Sequence, residues 1–570
     1  MPDGLLLHRL IPANPLNKKT SYPLLIALVA GLFFLPFLGG VRLFDWDEIN
    51  FAEIAREMIV LNDYLRVHVD FLPFWEKPPF FFWLQAASMH LWGIGEYAAR
   101  FPNAICGILT LLLLFRVGTK LYNTRFGLLW AGAYLGSVLP HLYFRSGIID
   151  PWFNLFIFIG LLGIILFYWK KDTFVGINLI RGRYTYLLFG GLLLGFAVLT
   201  KGPVAYLIVC LTLFVYWVLQ RFRFFIGVGH FLLFTIMTCV MTLLWYGVET
   251  WQHGPWFINE FIKYNYRLFS TPDAGHAGFP GYHFVVLLVG CFPASIFAIR
   301  AFGNTPQTYT YQRDFKIWMV ILFWVVLILF TVVKSKIVHY SSMCYFPLTY
   351  LAALVIYQIW EGKIRFNAWM RFGLIAIGLI YCLATIAIPF LGRRVDLIRP
   401  LLEADPFAQA NLDADINWTG WEIIPGIILF FVIFFGVRQL NRREPEATLK
   451  GAGRLFMGTA VFVFLTLIFF IGRIEGISQA AAMRFYEERQ GEDAYVVTHQ
   501  FRSYGRYFYT REPNHANPKR HDQNWLYYGD IDKDVYVVAK ITSQAEMDTI
   551  PTLKKIGEGN GFLFYKREKK

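Results

Sequence analysis

Thirteen apolar runs of roughly twenty residues punctuate this chain, near residues 22 to 40, 101 to 115, 126 to 143, 151 to 169, 185 to 200, 203 to 219, 224 to 246, 281 to 299, 317 to 333, 341 to 360, 371 to 391, 422 to 437 and 455 to 472. A helix of that length satisfies its own backbone hydrogen bonds and crosses a hydrocarbon layer of about 30 Å. Only 16% of the 570 residues are charged, against about a quarter in soluble domains. The pattern predicts a mostly α, polytopic membrane protein with about thirteen transmembrane helices.

Lys and Arg gather in alternate connections: Arg9/Lys18/Lys19, Arg116/Lys120/Arg125, Lys170/Lys171/Arg181/Arg183, Arg221/Arg223, Arg300/Arg313/Lys316, Lys363/Arg365/Arg371 and Arg438/Arg442/Arg443. By the positive-inside rule these connections and the N-terminus are expected in the cytoplasm. An odd span count then exports the C-terminal region. The first span is longer than a signal core and lacks a small-residue cleavage site, which reads as an uncleaved anchor. The net charge of +14 follows from this topology. No basic, aromatic-interleaved patch occurs in a soluble segment, which argues against a nucleic-acid partner. Six cysteines lie in or beside apolar runs and read as small core residues without a disulfide framework.

The expected membrane core covers residues 1 to 473, with four exported interruptions that are large or oddly polar, at 41 to 100, 247 to 281, 334 to 342 and 393 to 421. Residues 41 to 100 hold two helix candidates, 47 to 60 and 79 to 92, expected to lie flat in the interface. Residues 247 to 281 hold a short helix around 256 to 269 and a Gly/Pro-rich loop of the kind that orders over a ligand. Residues 474 to 570 read as a small periplasmic α/β domain. Its candidates are helices at 480 to 490 and 500 to 508 and strands AYVVT, DVYVVAKI and GFLFYKR.

Asp47 and Glu48 open the stretch DEINFAEIAREM. The pair can cap a helix and complement its dipole. A carboxylate at a membrane surface can also accept the proton of an attacking hydroxyl, which makes Asp47 the candidate base and Glu48 its companion or substrate contact. Glu76 and Lys77 follow in FWEKPPFFFW, with Pro78 and Pro79 fixing the backbone beside a lysine that could otherwise snorkel. Arg267, Lys334, Lys336, His339 and Tyr340 supply further donors on the same side, and converging cations suit a departing phosphate. Asp150 precedes Pro151 at a span start, as a helix cap or a second acid, and Lys201 in LTKGP is a turn residue or a cation facing the same compartment. A divalent metal is a candidate only at Glu76, with His253, His276 or His283 as partner, and no paired spacing supports it. No cofactor is otherwise required.

The DE and AEIAREM segment, EKPP with its aromatics, the Asp-Pro at 150, LTKGP and KIVHY together resemble, in order over most of the first 350 residues, the bacterial aminoarabinose transferase and protein O-mannosyltransferase superfamily. The resemblance implies a membrane glycosyltransferase of the C-type fold that uses a polyprenyl-phosphate sugar, with a cavity above the membrane core open to lipid. It implies Asp47 as the catalytic acidic residue, Asp150 as the second acidic position, Lys77, Arg267 and Tyr340 around the lipid phosphate, and Glu76 near a metal position. The chain departs from the aminoarabinose pattern where Asn50 and Phe51 replace an Arg and a Tyr, and where Ile262-Lys263-Tyr264-Asn265-Tyr266 replaces a His-Glu-His-like run. The implied sugar and metal therefore do not carry over with the chemistry.

The expected activity is inverting transfer of a sugar from a polyprenyl-phosphate donor, undecaprenyl phosphate in a bacterium, to lipid A, another envelope glycan or a protein hydroxyl. Asp47, Glu48 and Asp150 are its candidate catalytic residues, and Lys77, Arg267, Tyr340, Lys336 and Lys201 its candidate phosphate contacts. The alternative is a flippase of lipid-linked sugars, which would place charges within broken spans near the midplane. Oligomeric state is not readable.

Overall fold

A computed structural model describes residues 21–170, 182–271 and 278–569. Arg9, Lys18, Lys19, Lys171, Arg181 and most of the Gly/Pro-rich loop, with His276, lie outside the described residues. The chain is a multi-pass, mostly helical membrane protein. Among the described residues nine helices are long and apolar enough to cross a membrane, or ten if the bent pair Tyr282–Gly290 and Ala294–Ala301 is one span. Two shorter apolar helices, Ser21–Phe34 and Val204–Leu219, pack among them.

The difference from a count of thirteen lies where an averaged apolar run hides a break. The run at 126 to 143 is two helices, Thr124–Leu135 and Val138–Tyr143. Gly136 at their junction packs directly on the Phe456 backbone, an approach that any Cβ would block. The run at 281 to 299 bends by 117° at Cys291 to Pro293, where proline has no backbone N–H to continue the helix. Val338–Trp360, a short 3-10 turn followed by an α-helix, forms the centre of the bundle, its most apolar window fully enclosed. The six cysteines are all free thiols.

At one end of the bundle sits an α/β region. The last membrane helix, Pro445–Ser478, continues after Gln479 into Ala480–Glu487. Strand Ala494–His499 runs parallel to Asp534–Lys540, which pairs antiparallel with Phe562–Arg567, and Lys554–Gly559 forms the edge. The two inner strands of this sheet alternate between two apolar clusters. Val535 and Val537 pack on one side, Tyr536 and Val538 on the other. The edge strand escapes a reading by alternation because KKIGEG offers a single apolar residue, and it is bulged between Lys555 and Gly557.

In the helix Asp47–Leu61 every side chain from Glu48 to Met58 is buried, so this stretch offers no open face to lipid headgroups. Phe51, Ile54 and Met58 pack with Phe81 and Phe82 of helix Phe80–Trp92, Ile49, Ala52 and Ala55 share an apolar cluster with Phe485 and Phe508 of the C-terminal region, and Glu57 accepts from the Phe71 N–H at 2.9 Å. Arg56 donates to both oxygens of Glu53, at 2.7 and 2.6 Å, and to the Glu512 carbonyl at 3.1 Å. Asp70, in the hairpin of strands His68–Val69 and Leu72–Pro73, lies 3.0 Å from Arg520. Charged groups that would have faced headgroups thus pair with a domain far along the chain. Burial pushes the Glu512 carboxyl up to about 7 and Glu57 well above the usual carboxylate range.

Candidate active site

A cavity of about 550 Å³ opens at the end of the bundle that carries the C-terminal sheet. Its floor is built by membrane helices. Asp150 is the first residue of helix Asp150–Trp169, and Lys201 the last of helix Arg183–Lys201. The Lys201 Nζ donates to Asp150 Oδ1 at 2.6 Å and lies 5.2 Å from the centre of the Tyr340 ring. Gly202, at φ +100°, lets the chain turn while Phe261 packs where a Cβ would project. Asn154, one helical turn beyond Asp150, donates to Ser342 Oγ at 2.8 Å and so ties the floor to the Val338–Cys344 turn that carries His339 and Tyr340.

The rim comes from the connections between helices. Asp47 starts its helix beside the cavity, and its Oδ2 is 4.0 Å from His339 Nε2. Lys77 donates to the Tyr264 hydroxyl at 3.1 Å, with its Nζ 4.6 Å from that ring's centre. Tyr264 belongs to helix Trp256–Ser270, whose buried Phe257 and Phe261 fix it against the core one turn apart. Arg267 sits on the same helix with its guanidinium 5.3 Å from the Tyr264 ring centre. The ring therefore lies against two cations, an arrangement that brings positive charge together.

Of the residues singled out from sequence, Asp47, Glu76, Lys77, Asp150, Lys201, His339 and Tyr340 line this one cavity, and Glu48, Arg267, Lys334 and Lys336 do not. Glu48 is buried and turned away. It accepts from Arg100 Nε at 3.1 Å and Nη2 at 2.8 Å, from the Phe44 N–H at 3.1 Å and from the Gly147 N–H at 2.6 Å. Burial pushes its carboxyl up, but the Arg100 guanidinium and these donors outweigh that and hold it below the usual range. With its oxygens occupied in this way, Glu48 anchors the Asp47 helix and leaves no oxygen for a substrate. Lys336 is likewise engaged: its Nζ donates to the carbonyls of Phe330 at 3.2 Å, Thr331 at 2.6 Å and Val333 at 2.5 Å, closing the end of helix Thr310–Val332. Burial lowers its pKa.

Two of the histidine partners considered for Glu76 are engaged elsewhere, and the third, His276, lies outside the described residues. His253 pairs with Glu249 at 3.1 Å and His283 with Ser341 at 3.2 Å. Among the described residues no group of three His, Cys, Asp or Glu side chains gathers as a metal site. The donors around Glu76 therefore do not furnish a histidine-carboxylate ligand set. Tyr264, Asn154 and Ser342 are site residues that the sequence reading passed over. Tyr264 was within reach, since it lies three residues before Arg267 on one helical face; Asn154 and Ser342 carry no signal outside the fold.

Three comparisons bear on this site. The family described as dolichyl-phosphate-mannose-protein mannosyltransferase matches residues 76–246, a segment that begins at Glu76 and holds Lys77, Asp150 and Lys201. An undecaprenyl phosphate-alpha-4-amino-4-deoxy-L-arabinose arabinosyl transferase of Pectobacterium carotovorum is 27% identical over 423 residues, 72% of each chain. A protein of the same name from Pectobacterium atrosepticum is 28% identical over 62% of this chain and 63% of its own, so the chain spans just under two thirds of that relative. Among solved structures, ArnT from Cupriavidus metallidurans bound to undecaprenyl phosphate superposes with a TM-score of 0.73 at 18% identity, covering 96% of this chain and 98% of that one. The likeness of fold runs through the C-terminal region, whereas the family match stops at residue 246. Relatives, family segment and fold agree in what the chain is similar to: membrane glycosyltransferases of the ArnT type.

Proposed function

We propose that the chain transfers a sugar from a polyprenyl-phosphate donor, undecaprenyl phosphate, to an acceptor on the exported face of a bacterial inner membrane, with inversion at the anomeric carbon. The observation that carries this reading is the pairing of opposite tasks in one cavity. Asp47 has no hydrogen-bond partner among the described residues, and Lys77 has only the neutral Tyr264 hydroxyl. The carboxylate is free to take a proton and the ammonium is free to meet an anion.

The acceptor oxygen attacks the anomeric carbon while its proton passes to Asp47. The bond from that carbon to the phosphate oxygen breaks, and the electron pair leaves with the lipid phosphate. Charge develops on the departing oxygen, where Lys77 stabilises it with the Tyr340 hydroxyl nearby and the Arg267 guanidinium behind Tyr264. Lys201, paired with Asp150, fixes the cavity floor and orients Tyr340. The mostly apolar wall between these groups, with Phe153, Leu207 and Phe330, suits the prenyl chain. Relatives that carry undecaprenyl phosphate in their names support the donor. The acceptor is lipid A, another envelope glycan or a protein hydroxyl.

In this reading the thirteen apolar runs are thirteen crossings, with the short and broken helices completing the count. The N-terminus is cytoplasmic, and residues 474 to 570 form an exported domain beside a core of residues 1 to 473. Proteoliposomes supplied with radiolabelled undecaprenyl-phosphate aminoarabinose or mannose and an envelope extract test the function. The expected result is label joined to an acceptor. Movement of the labelled lipid between leaflets with no glycosylated product would make the protein a flippase instead.

A further inference from the structure

Segment 42 to 46, which delivers Asp47 to the cavity, is held almost residue by residue by parts of the chain more than 430 positions away. Arg42 donates from Nε and Nη2 to the two oxygens of Glu487, at 2.8 and 2.7 Å. The Leu43 N–H donates to the Tyr509 hydroxyl at 2.8 Å, and its carbonyl accepts from Gln479 Nε2 at 2.7 Å. The Asp45 N–H donates to Gln479 Oε1 at 3.2 Å, and Asp45 Oδ1 accepts from the Tyr504 N–H at 3.3 Å. The Trp46 ring meets the Tyr504 ring edge-on, 5.0 Å between centres.

Gln479 uses both ends of its amide here, bonding the backbone of Leu43 and Asp45 as a neighbouring strand would. It is buried and stands at the joint between Pro445–Ser478 and Ala480–Glu487, so the last membrane helix and the C-terminal sheet both bear on the segment through it. On the other side of Asp47, Glu48 is fixed by Arg100 and Gly147. The Asp47 side chain itself has no hydrogen bond among the described residues to set its place; the His339 imidazole lies 4.0 Å away. Its position in the cavity is therefore inherited from the backbone, and the backbone is held from the C-terminal region.

We infer that Gln479, Tyr504 and Tyr509 are positioning residues for the transfer reaction: they form a clamp through which the C-terminal region sets the Asp47 carboxylate against the reacting carbon. The region is then part of the catalytic apparatus and not a cap over it. The inference rests on the proposed role of Asp47. Misplacing a reacting group by about 1 Å can cost about 10²-fold in rate, whereas the contacts of the lipid phosphate lie on other elements, at Lys77, Tyr340 and Arg267.

The test combines two readouts on the full-length protein in proteoliposomes. Gln479→Ala should lower kcat by about 10- to 100-fold and leave KM for the labelled undecaprenyl-phosphate sugar within about two-fold. Tyr504→Ala should do the same more weakly, and Tyr504→Phe, which keeps the ring and the backbone N–H, should restore the rate. In an Asp47→Asn background, Gln479→Ala should cost nothing further, because it acts through the residue already removed. Independently of turnover, hydrogen exchange across residues 43 to 52 should quicken in Gln479→Ala and Tyr504→Ala while residues 80 to 92 keep wild-type protection. Unchanged exchange at 43 to 52 overturns the clamp, as does quickened exchange with wild-type kcat, or a loss confined to KM. If the wild type transfers neither labelled sugar, the functional reading fails and exchange alone still decides whether the clamp exists. If Gln479→Ala does not fold, Tyr504→Ala against Tyr504→Phe carries the same decision.

Discussion

Asp150 and Asp47 face one cavity under opposite regimes. Asp150 belongs to the floor. Its side chain is 3% exposed and its partner Lys201 is 2.6 Å away. Asp47 belongs to the rim, where its side chain is 37% exposed and the His339 imidazole is 4.0 Å away. A carboxylate matched with an ammonium inside a membrane bundle is an architectural element, because removing either partner strands a charge in low dielectric. A carboxylate without a hydrogen bond at a wet rim adds little to stability and keeps its oxygens for chemistry. The same contrast separates Lys201 from Lys77, the first tied to Asp150 and the second to a neutral hydroxyl. Floor and rim thus divide the work between holding the fold and meeting the substrate.

The largest effect expected from breaking that contrast is on stability at the floor. Lys201→Met should destabilise the protein by about 3 to 5 kcal/mol, read as a lower midpoint of thermal unfolding in detergent, and replacing Asp150 together with Lys201 should recover most of it. Asp47→Asn should leave the midpoint nearly unchanged; an equal loss there would erase the distinction. Next comes catalysis at the rim, where Lys77→Met should lower transfer by about 10²- to 10³-fold, near 3 kcal/mol of transition-state stabilisation, with the midpoint kept.

A smaller effect lies in the segment that holds the rim, and it depends on pH. Burial pushes the Asp45 carboxyl up to about 6, against the opposing bonds from Ser503 and Tyr504. A carboxyl whose folded pKa is raised favours folding while protonated, and its contribution is lost as pH rises through the folded value. Asp45→Asn keeps the acceptor and removes the ionisation. It should stabilise the protein by about 2 to 3 kcal/mol at pH 8 and by almost nothing at pH 4, measured as the difference in unfolding midpoint at the two pH values. A stabilisation independent of pH would mean that Asp45 does not titrate in the fold.

The floor was more legible in the sequence than the rim, for a physical reason. Hydrocarbon forces long apolar runs, so a charge that interrupts one, such as Lys201 in LTKGP or Asp150 before Pro151, stands out. The positions of Lys77 and Asp47 just outside such runs were also readable, and the fold brings both into the cavity. What the pattern could not convey is which neighbouring charge is spent on structure. Glu48 adjoins Asp47 and Lys336 lies three residues before His339, yet Arg100 and three backbone carbonyls consume them. Arg100 is brought to Glu48 by helix packing across 52 positions, and the carbonyls reach Lys336 only because the chain folds back over the end of helix Thr310–Val332. The clamp was hidden more deeply, because Gln479 and Tyr504 sit in unremarkable local sequence and gain their meaning from contacts across more than 430 positions. A lone glutamine between two helices gives no sign that both ends of its amide hold a distant backbone.

The central claim, that Asp47 takes the acceptor's proton while other groups hold the lipid phosphate, is tested most directly by separating binding from transfer in Asp47→Asn. Wild type and variant are reconstituted side by side, and undecaprenyl phosphate affinity and label transfer are measured on the same preparations. The account predicts unchanged affinity for undecaprenyl phosphate with transfer reduced by about 10²- to 10⁴-fold. Wild-type transfer by the variant would contradict it and remove Asp47 from the reaction.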